Sequence, residues 1–328
     1  MNKLNATEVF LSAVSLTAFL FLSLVSLTNQ YPFTSIYAQQ EKGNQKSIFD
    51  NYYLDTIPIN KIKVGDIDIA YKIFGKGGPL VMINGYGSIM DMWNAKFLQN
   101  LATNHTVIIF DNRGIGNTTS GLKEFTIKQF AEDTSGLIDA LKLDKADVLG
   151  FSMGGMIAQE LALTHPNKVG KLVIYASMCG GIQSVPLSPD VQQPLSLISN
   201  SSVPAIEKLS MLIPIMFPQD WAKQNSNQLD NFIQNLKNMS YLISDKTLNL
   251  QSNAIGTWNG VCDQINKITL PTLSIVGTDD VLTVPANSVL ITEKIHGSSL
   301  VQIKGGGHGM MHQYPDKMSS IILEFLSN

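Results

Sequence analysis

The chain has 328 residues, 44% of them hydrophobic and 15% charged, with 25 Gly and 13 Pro; it is too apolar for a disordered segment and too often interrupted for a multi-span membrane protein. A net charge of −3 without any block of Lys or Arg argues against nucleic acid as a partner, since phosphate neutralisation needs a concentrated basic face. Two Cys far apart and five His without HExxH spacing carry no metal signature, and no metal is expected.

In chain order, residues 9–27 come first: an uncharged stretch rich in Leu, Val and Phe, preceded by Lys3 and followed by Asn29, Gln30, Tyr31 and Pro32. Its length falls between a signal-peptide apolar region and a spanning helix, so a secretory signal removed after Ala38 and a retained N-terminal membrane anchor both fit. The Ser and Thr within it favour the signal, although Ile36 is larger than the residue usual two positions before such a cut. In either case residues 1–38 are an address. The rest of the chain is expected outside the cytoplasm, secreted or held at the outer face of the membrane. A polar run then opens a linker over 39–60.

From residue 61 short β-rich runs alternate with helical segments, which predicts an α/β fold: a mostly parallel sheet flanked by helices on both faces. Strands are expected at 67–74, 80–84, 106–110, 146–150, 171–176, 272–277 and 300–303, and helices at 127–141, 153–163 and 316–326. Most of the strand runs are continuously apolar, as strands buried on both faces are. The alternation stops over 181–265, where Pro186, Pro189, Pro194, Pro204, Pro214 and Pro218 accompany helix-like pieces at 205–212 and 229–236. That stretch reads as a helical cap insertion over one end of the sheet, dividing the core into 61–180 and 266–328.

The residues that carry chemistry stand at strand ends. Gly150-Phe151-Ser152-Met153-Gly154-Gly155 lies where a strand gives way to a helix, and a turn that tight strains the central residue while glycines remove the Cβ atoms that would collide. Ser152 is lifted out of the sheet, with the positive end of the next helix aimed at the same spot. A serine hydroxyl needs a base and an orienting acid to act as a nucleophile. Both follow later strands, in Gly277-Thr278-Asp279-Asp280 and in Gly307-His308-Gly309. Loops at the carboxyl ends of parallel strands converge on one edge, so the three groups can meet there. Plainer readings compete: Ser152 as a helix N-cap, His308 as an ordinary loop histidine, His312 as the base one helical turn on, Asp279 in place of Asp280. His105, His165 and His296 fall at segment ends and are expected to be solvated.

With these motifs the chain resembles the α/β-hydrolase superfamily, in its branch of serine esterases and lactonases, over about residues 61–325. The resemblance also rests on Asn84-Gly85-Tyr86-Gly87 and Asp111-Asn112-Arg113-Gly114-Ile115-Gly116. It implies an α/β-hydrolase fold and a cofactor-free attack by Ser152 on a carbonyl, with His308 as general base. The orienting acid is Asp280, which stands three residues after Gly277. The backbone amides of Tyr86 and Met153 would form the oxyanion hole. Asn84 departs from the family, which usually has His there. The expected substrate is a small apolar ester or lactone; the same triad in perhydrolysis or C–C bond hydrolysis, and a non-catalytic binding protein on this scaffold, are the alternatives.

Three further expectations follow. Arg113 is the single Arg of the chain, which marks a place where a planar multi-donor fork is needed, read as a buried tie between loops with direct substrate contact as the alternative. Met90, Met92, Met153, Met156, Met178, Met310 and Met311 lie near the site motifs and are expected to contribute an adaptable apolar pocket, with core packing as the alternative for several. Cys179 and Cys262 bracket the insertion and could bridge in an oxidising compartment.

Overall fold

The computed structural model describes residues 34–36, 52–187, 191 and 202–328. The apolar segment 9–27, the expected cleavage point at Ala38 and residues 39–51 of the expected 39–60 linker lie outside the described residues; the rest of that stretch is not a free linker, since Tyr52–Asp55 form a helical turn that buries Leu54 and a strand begins at Asn60. No helix among the described residues is long and apolar enough to cross a membrane.

One nine-stranded sheet runs through the fold: β1 (Thr34–Ile36), β2 (Asn60–Val64), β3 (Ile67–Gly75), β4 (Gly78–Ile83), β5 (His105–Phe110), β6 (Ala146–Phe151), β7 (Val169–Tyr175), β8 (Thr272–Gly277) and β9 (Ser299–Ile303), in the spatial order β1-β9-β8-β7-β6-β4-β5-β3-β2. All pairings are parallel except β2 with β3 and β3 with β5. The continuous apolar runs behave as strands covered on both faces must: Leu80 to Ile83 of β4 are wholly buried, and so is every residue of β8. β5 lies on one side of β4 and β6 on the other, so the chain reverses its direction of travel across the sheet at β4. Such a switch leaves a crevice outside the carboxyl ends of the two diverging strands. β4 and β6 deliver Tyr86 and Ser152 to it.

Helices cover both faces. On one, α2 (Ile127–Ala140) and α3 (Met153–Thr164) pack Phe130, Leu137 and Ile157 into the same cluster as Val81 and Val148 of the sheet. On the other, α1 (Ala95–Leu101) brings Phe97 and Leu98 against Leu80, Met82 and Leu149. Both α1 and α2 begin with a cap, Asn94 accepting from the Phe97 amide and Thr126 from that of Gln129, each at 2.9 Å, which satisfies donors a helix start leaves unpaired.

Over the stretch 181–265, expected as the cap, the described residues are mainly helical. They form α4 (Ala205–Ile215), α5 (Gln219–Gln224), α6 (Ser226–Asn238) and α7 (Asp245–Gly256). Leu209, Ile213, Phe232 and Leu248 of these helices form a third apolar cluster with Ile89 and Ile115, from the loops after β4 and β5. Hydrogen bonds dock the cap on the same rim: Gly116 N–H to Leu242 O at 2.8 Å, Thr247 Oγ1 to Gly114 O at 2.7 Å and Gly309 N–H to Met216 O at 2.9 Å. Cys179, shortly after β7, and Cys262 form a disulfide with Cα atoms 4.9 Å apart. After the cap the core resumes with β8, α8 (Pro285–Lys294), β9, α9 (Met310–Gln313) and α10 (Pro315–Ser327).

Candidate active site

At the end of β6 the chain turns into α3 through Ser152, whose φ of 56° and ψ of −118° fall outside the regions open to most side chains. Two glycines make that turn feasible. A Cβ on Gly150 would stand 2.2 Å from Gly154 O, and one on Gly154 would stand 2.1 Å from Ile83 O. The turn is held by Ser152 N–H donating to Tyr175 O at 2.9 Å and by Ser177 Oγ donating to Ser152 O at 2.8 Å. Ser152 stands at the N-cap position of α3, but its side chain makes no capping hydrogen bond, so the hydroxyl does not serve as a cap.

His308 follows β9 and is fixed from three sides. Its Nδ1 lies 2.9 Å from Asp280 Oδ2, its carbonyl accepts from Tyr175 Oη at 2.8 Å, and its ring packs on Phe151 at 4.9 Å between centroids. Phe151 immediately precedes Ser152 and pairs in register with Tyr175, so the imidazole sits over the strand end that carries the serine. Asp280 in turn accepts the amides of Leu282 and Thr283 at 2.9 Å each and the Thr283 hydroxyl at 2.9 Å. Those three donors hold the carboxylate in one orientation. Asp279 is exposed, and among the described residues its carboxylate accepts only the neighbouring Thr278 hydroxyl, at 2.7 Å. The structure therefore pairs Asp280, not Asp279, with His308. His312 packs beside Phe217 and Phe232.

The loop after β4 faces this pair. A Cβ on Gly85 would stand 3.2 Å from Ser152 Cβ, so Tyr86 begins within reach of the serine. Asn84 shapes the loop with both ends of its carboxamide, donating to Ile89 O at 2.8 Å and accepting the Gly85 amide at 3.0 Å. An asparagine can thus replace the usual histidine here as a loop organiser. Among the described residues the amides of Tyr86 and Met153, the two expected oxyanion donors, have no hydrogen-bond partner. Burial pushes the Tyr86 phenol up to about 12, so it stays protonated.

A small cavity lies beside these groups, with about 30 Å³ open to water-molecule centres. Leu209, Ile213, Met216 and Phe217 of the cap form its roof, with Phe151 and His312 on the core side. Of the methionines expected to line a pocket, Met92 and Met311 do so. Met90, Met153, Met156 and Met310 are buried core residues, and Met178 packs against the core, so core packing accounts for them. Arg113 is the expected buried tie: its guanidinium grips Asp133 through Nε and Nη2 at 2.8 and 2.6 Å, and Asp66 through Nη1 and Nη2 at 3.0 and 2.8 Å. Those bonds hold the Asp66 carboxyl well below the ordinary carboxylate range. His105 is buried rather than solvated, because as the first residue of β5 it is covered where the strand enters the sheet.

Thr283, Tyr175, Ser177 and Gln251 are site residues that sequence reading missed. Only Thr283 had a local signal, a hydroxyl three residues after an Asp in a turn. Among the described residues no group of His, Cys, Asp and Glu is arranged to hold a metal ion.

The fold and this rim define an α/β hydrolase. Residues 78–315 match the family described as alpha/beta hydrolase fold, and the chain belongs to it. It is 25% identical over 261 residues to a protein of Azorhizobium caulinodans provisionally named carbamate hydrolase RutD, covering 80% of this chain and 96% of that one. Among solved structures it resembles the enol-lactonase of Burkholderia xenovorans LB400 (TM-score 0.70, 23% identity, 82% of this chain and 100% of that one). It also resembles the esterase EaEST of Exiguobacterium antarcticum (TM-score 0.71, 24% identity, 82% and 99%). At these identities the structural likeness speaks for the fold.

Proposed function

We propose that the protein is a serine hydrolase that cleaves a carboxylic ester or lactone through an acyl-enzyme intermediate. The observation that carries the reading is the 2.9 Å bond between His308 Nδ1 and Asp280 Oδ2, at the rim where the strained turn presents Ser152. With Nδ1–H given to Asp280, the other ring nitrogen is the base that takes the Ser152 proton. Ser152 Oγ bonds to the substrate carbonyl carbon, and the oxygen becomes an oxyanion received by the amides of Tyr86 and Met153. Collapse expels the alkoxide, which takes the proton from His308. A water molecule, deprotonated by His308, then attacks the acyl carbon; the bond to Ser152 Oγ breaks, Ser152 takes the proton back from His308, and the acid is released.

The cavity roofed by Leu209, Ile213, Met216 and Phe217 is apolar, which suits the acyl side of such a substrate. The disulfide supports placing the domain outside the reducing cytosol, with residues 9–27 as the means of export or anchorage. A carbamate is the second reading, favoured by the name of the Azorhizobium relative; the same attack on its carbonyl requires no further group.

The test is labelling by a fluorophosphonate, followed by turnover of p-nitrophenyl esters of increasing chain length and of matched carbamates. Ser152 should take the label, and Ser152→Ala should lose label and turn over at least a thousandfold more slowly, on the order reported for triad removals. Unlabelled wild-type enzyme, or turnover surviving in Ser152→Ala, refutes the reading.

A further inference from the structure

A buried side chain of the cap hydrogen-bonds to the oxyanion loop. Gln251, on α7, is wholly buried, and its side-chain carbonyl accepts the amide hydrogen of Gly87 at 2.9 Å, from 164 residues away in the chain. Gly87 has a φ of +67°, and a Cβ on it would stand 2.5 Å from Leu209 Cδ2 and 3.1 Å from Leu248 Cδ2. Both α4 and α7 therefore close on this one residue, at a separation only glycine permits.

The bond matters because of the peptide next to it. The Asn84–Gly85 peptide is pinned from within the loop, through Gly85 N–H on Asn84 Oδ1 at 3.0 Å. The Tyr86–Gly87 peptide is pinned from outside, by Gln251. Between them lies the Gly85–Tyr86 peptide, whose N–H is the proposed oxyanion donor and has no partner among the described residues. Its own carbonyl, Gly85 O, accepts the Ser88 amide at 3.3 Å; with both flanking planes held as well, its direction is set before substrate arrives, which is what an oxyanion donor requires. The inner hold is built into the loop. The outer one exists only while the cap is docked.

A second observation concerns Gln251 itself. Its Nε2 is buried without a hydrogen-bond partner among the described residues. Leaving a buried amide half unsatisfied is costly, and such a cost beside a reacting centre calls for an explanation. An alkyl side chain would fill the same space without that cost, but it could not accept the Gly87 amide.

We infer that Gln251 is a positioning residue for acyl transfer: its carbonyl, delivered by the docked cap, holds the oxyanion loop so that the Tyr86 amide faces the reacting carbonyl. The cap is then part of the catalytic scaffold as well as the roof of the pocket. This rests on the acyl-transfer reading above.

The experiment uses the full chain with its disulfide intact. Gln251→Met keeps the length of the side chain but not the carbonyl; Gln251→Glu keeps an acceptor oxygen. Hydrolysis of p-nitrophenyl butyrate is measured together with inhibition by a trifluoromethyl ketone that adds to the serine as a tetrahedral adduct. Gln251→Met should lower kcat about ten- to a hundredfold, less than the loss of an oxyanion donor outright, with KM within about threefold. Adduct affinity should fall in proportion to kcat/KM. Gln251→Glu should recover kcat to within about threefold of wild type. An unchanged kcat in Gln251→Met, a loss confined to KM, or equal losses in both variants overturns the inference and leaves the acyl-transfer reading standing. If Gln251→Met does not fold, Gln251→Asn, too short to reach Gly87, takes its place with the same expectations. Absence of fluorophosphonate label on Ser152 in the wild type overturns the reading and this inference with it.

Discussion

Asp111 is a carboxylate removed from water, 1% exposed, and its two oxygens hold two loops: Oδ1 takes the Met90 amide at 2.7 Å and Oδ2 that of Asn117 at 2.8 Å. Burial, the largest influence, pushes its pKa up to about 6 against the pull of those two donors. The folded chain therefore holds this proton more tightly than the unfolded chain, in which an Asp titrates near 3.9 (about the model-peptide value). The group favours folding most below about pH 4, and that contribution is lost as pH rises through 6. A difference of about two pKa steps is worth about 3 kcal/mol. Asp111→Asn does not titrate, so the stability of wild type relative to this variant, from urea unfolding, should fall by about 2–3 kcal/mol between pH 4 and pH 7; a difference independent of pH would show that Asp111 does not carry the titration. At this scale Ser152, Asp280, His308 and Arg113 were legible, because each stands at a glycine-punctuated strand end where its residue type has few other uses. Tyr175 and Gln251 were not, since their roles depend on partners 133 and 164 residues away and nothing near them in the chain differs from ordinary strand or helix.

The turn between β6 and α3 shows how much a single element depends on missing atoms. A Cβ at Gly154 would meet the backbone oxygen of Ile83 at 2.1 Å, and neither the helix nor the central strand can yield. At Gly256, the last residue of α7, nothing lies within 4 Å of the corresponding position. Gly154→Ala should cost more than the 1–3 kcal/mol (roughly) of ordinary overpacking, seen as a melting point lowered by about 6 °C or more or as failure to fold. Gly256→Ala should raise stability by about 0.5–1 kcal/mol, because the unfolded chain loses freedom while the helix gains a better former. Thermal melts followed by circular dichroism read both, and equal effects at the two sites would refute the steric account. The same contrast explains which elements were legible. The apolar runs of β4 to β8 fall within two residues of their expected limits, whereas β2, at a sheet edge, is largely exposed and buries only Val64, and α1 is too short, at 7 residues, to show a period. Gly307 and Gly309, on either side of His308, are where the cap seats: added Cβ atoms there would meet Met216 O at 2.5 Å and the Phe217 ring at 2.7 Å.

At the scale of the whole molecule, the core and the cap are joined by a covalent link whose effect can be separated from that of the contacts around it. The disulfide closes 83 residues of chain, an entropic restriction of the unfolded state worth up to about 4.5 kcal/mol. The native join does not rest on it alone. Cys179 and Cys262 are buried in the same apolar cluster as Ile157 and Ile265, the Val261 amide donates to Cys179 O at 2.7 Å, and the cap has its own hydrogen bonds to the loops after β4, β5 and β9. Those contacts do not pass through the bridge, whereas the entropy it removes belongs to the unfolded chain. Replacing both cysteines with alanine should therefore lower the melting point by on the order of 10 °C, while ester turnover at room temperature stays within about twofold of wild type. Turnover that collapses well below the melting point would mean that the covalent link, not the packed and hydrogen-bonded interface, keeps the cap on the catalytic loops.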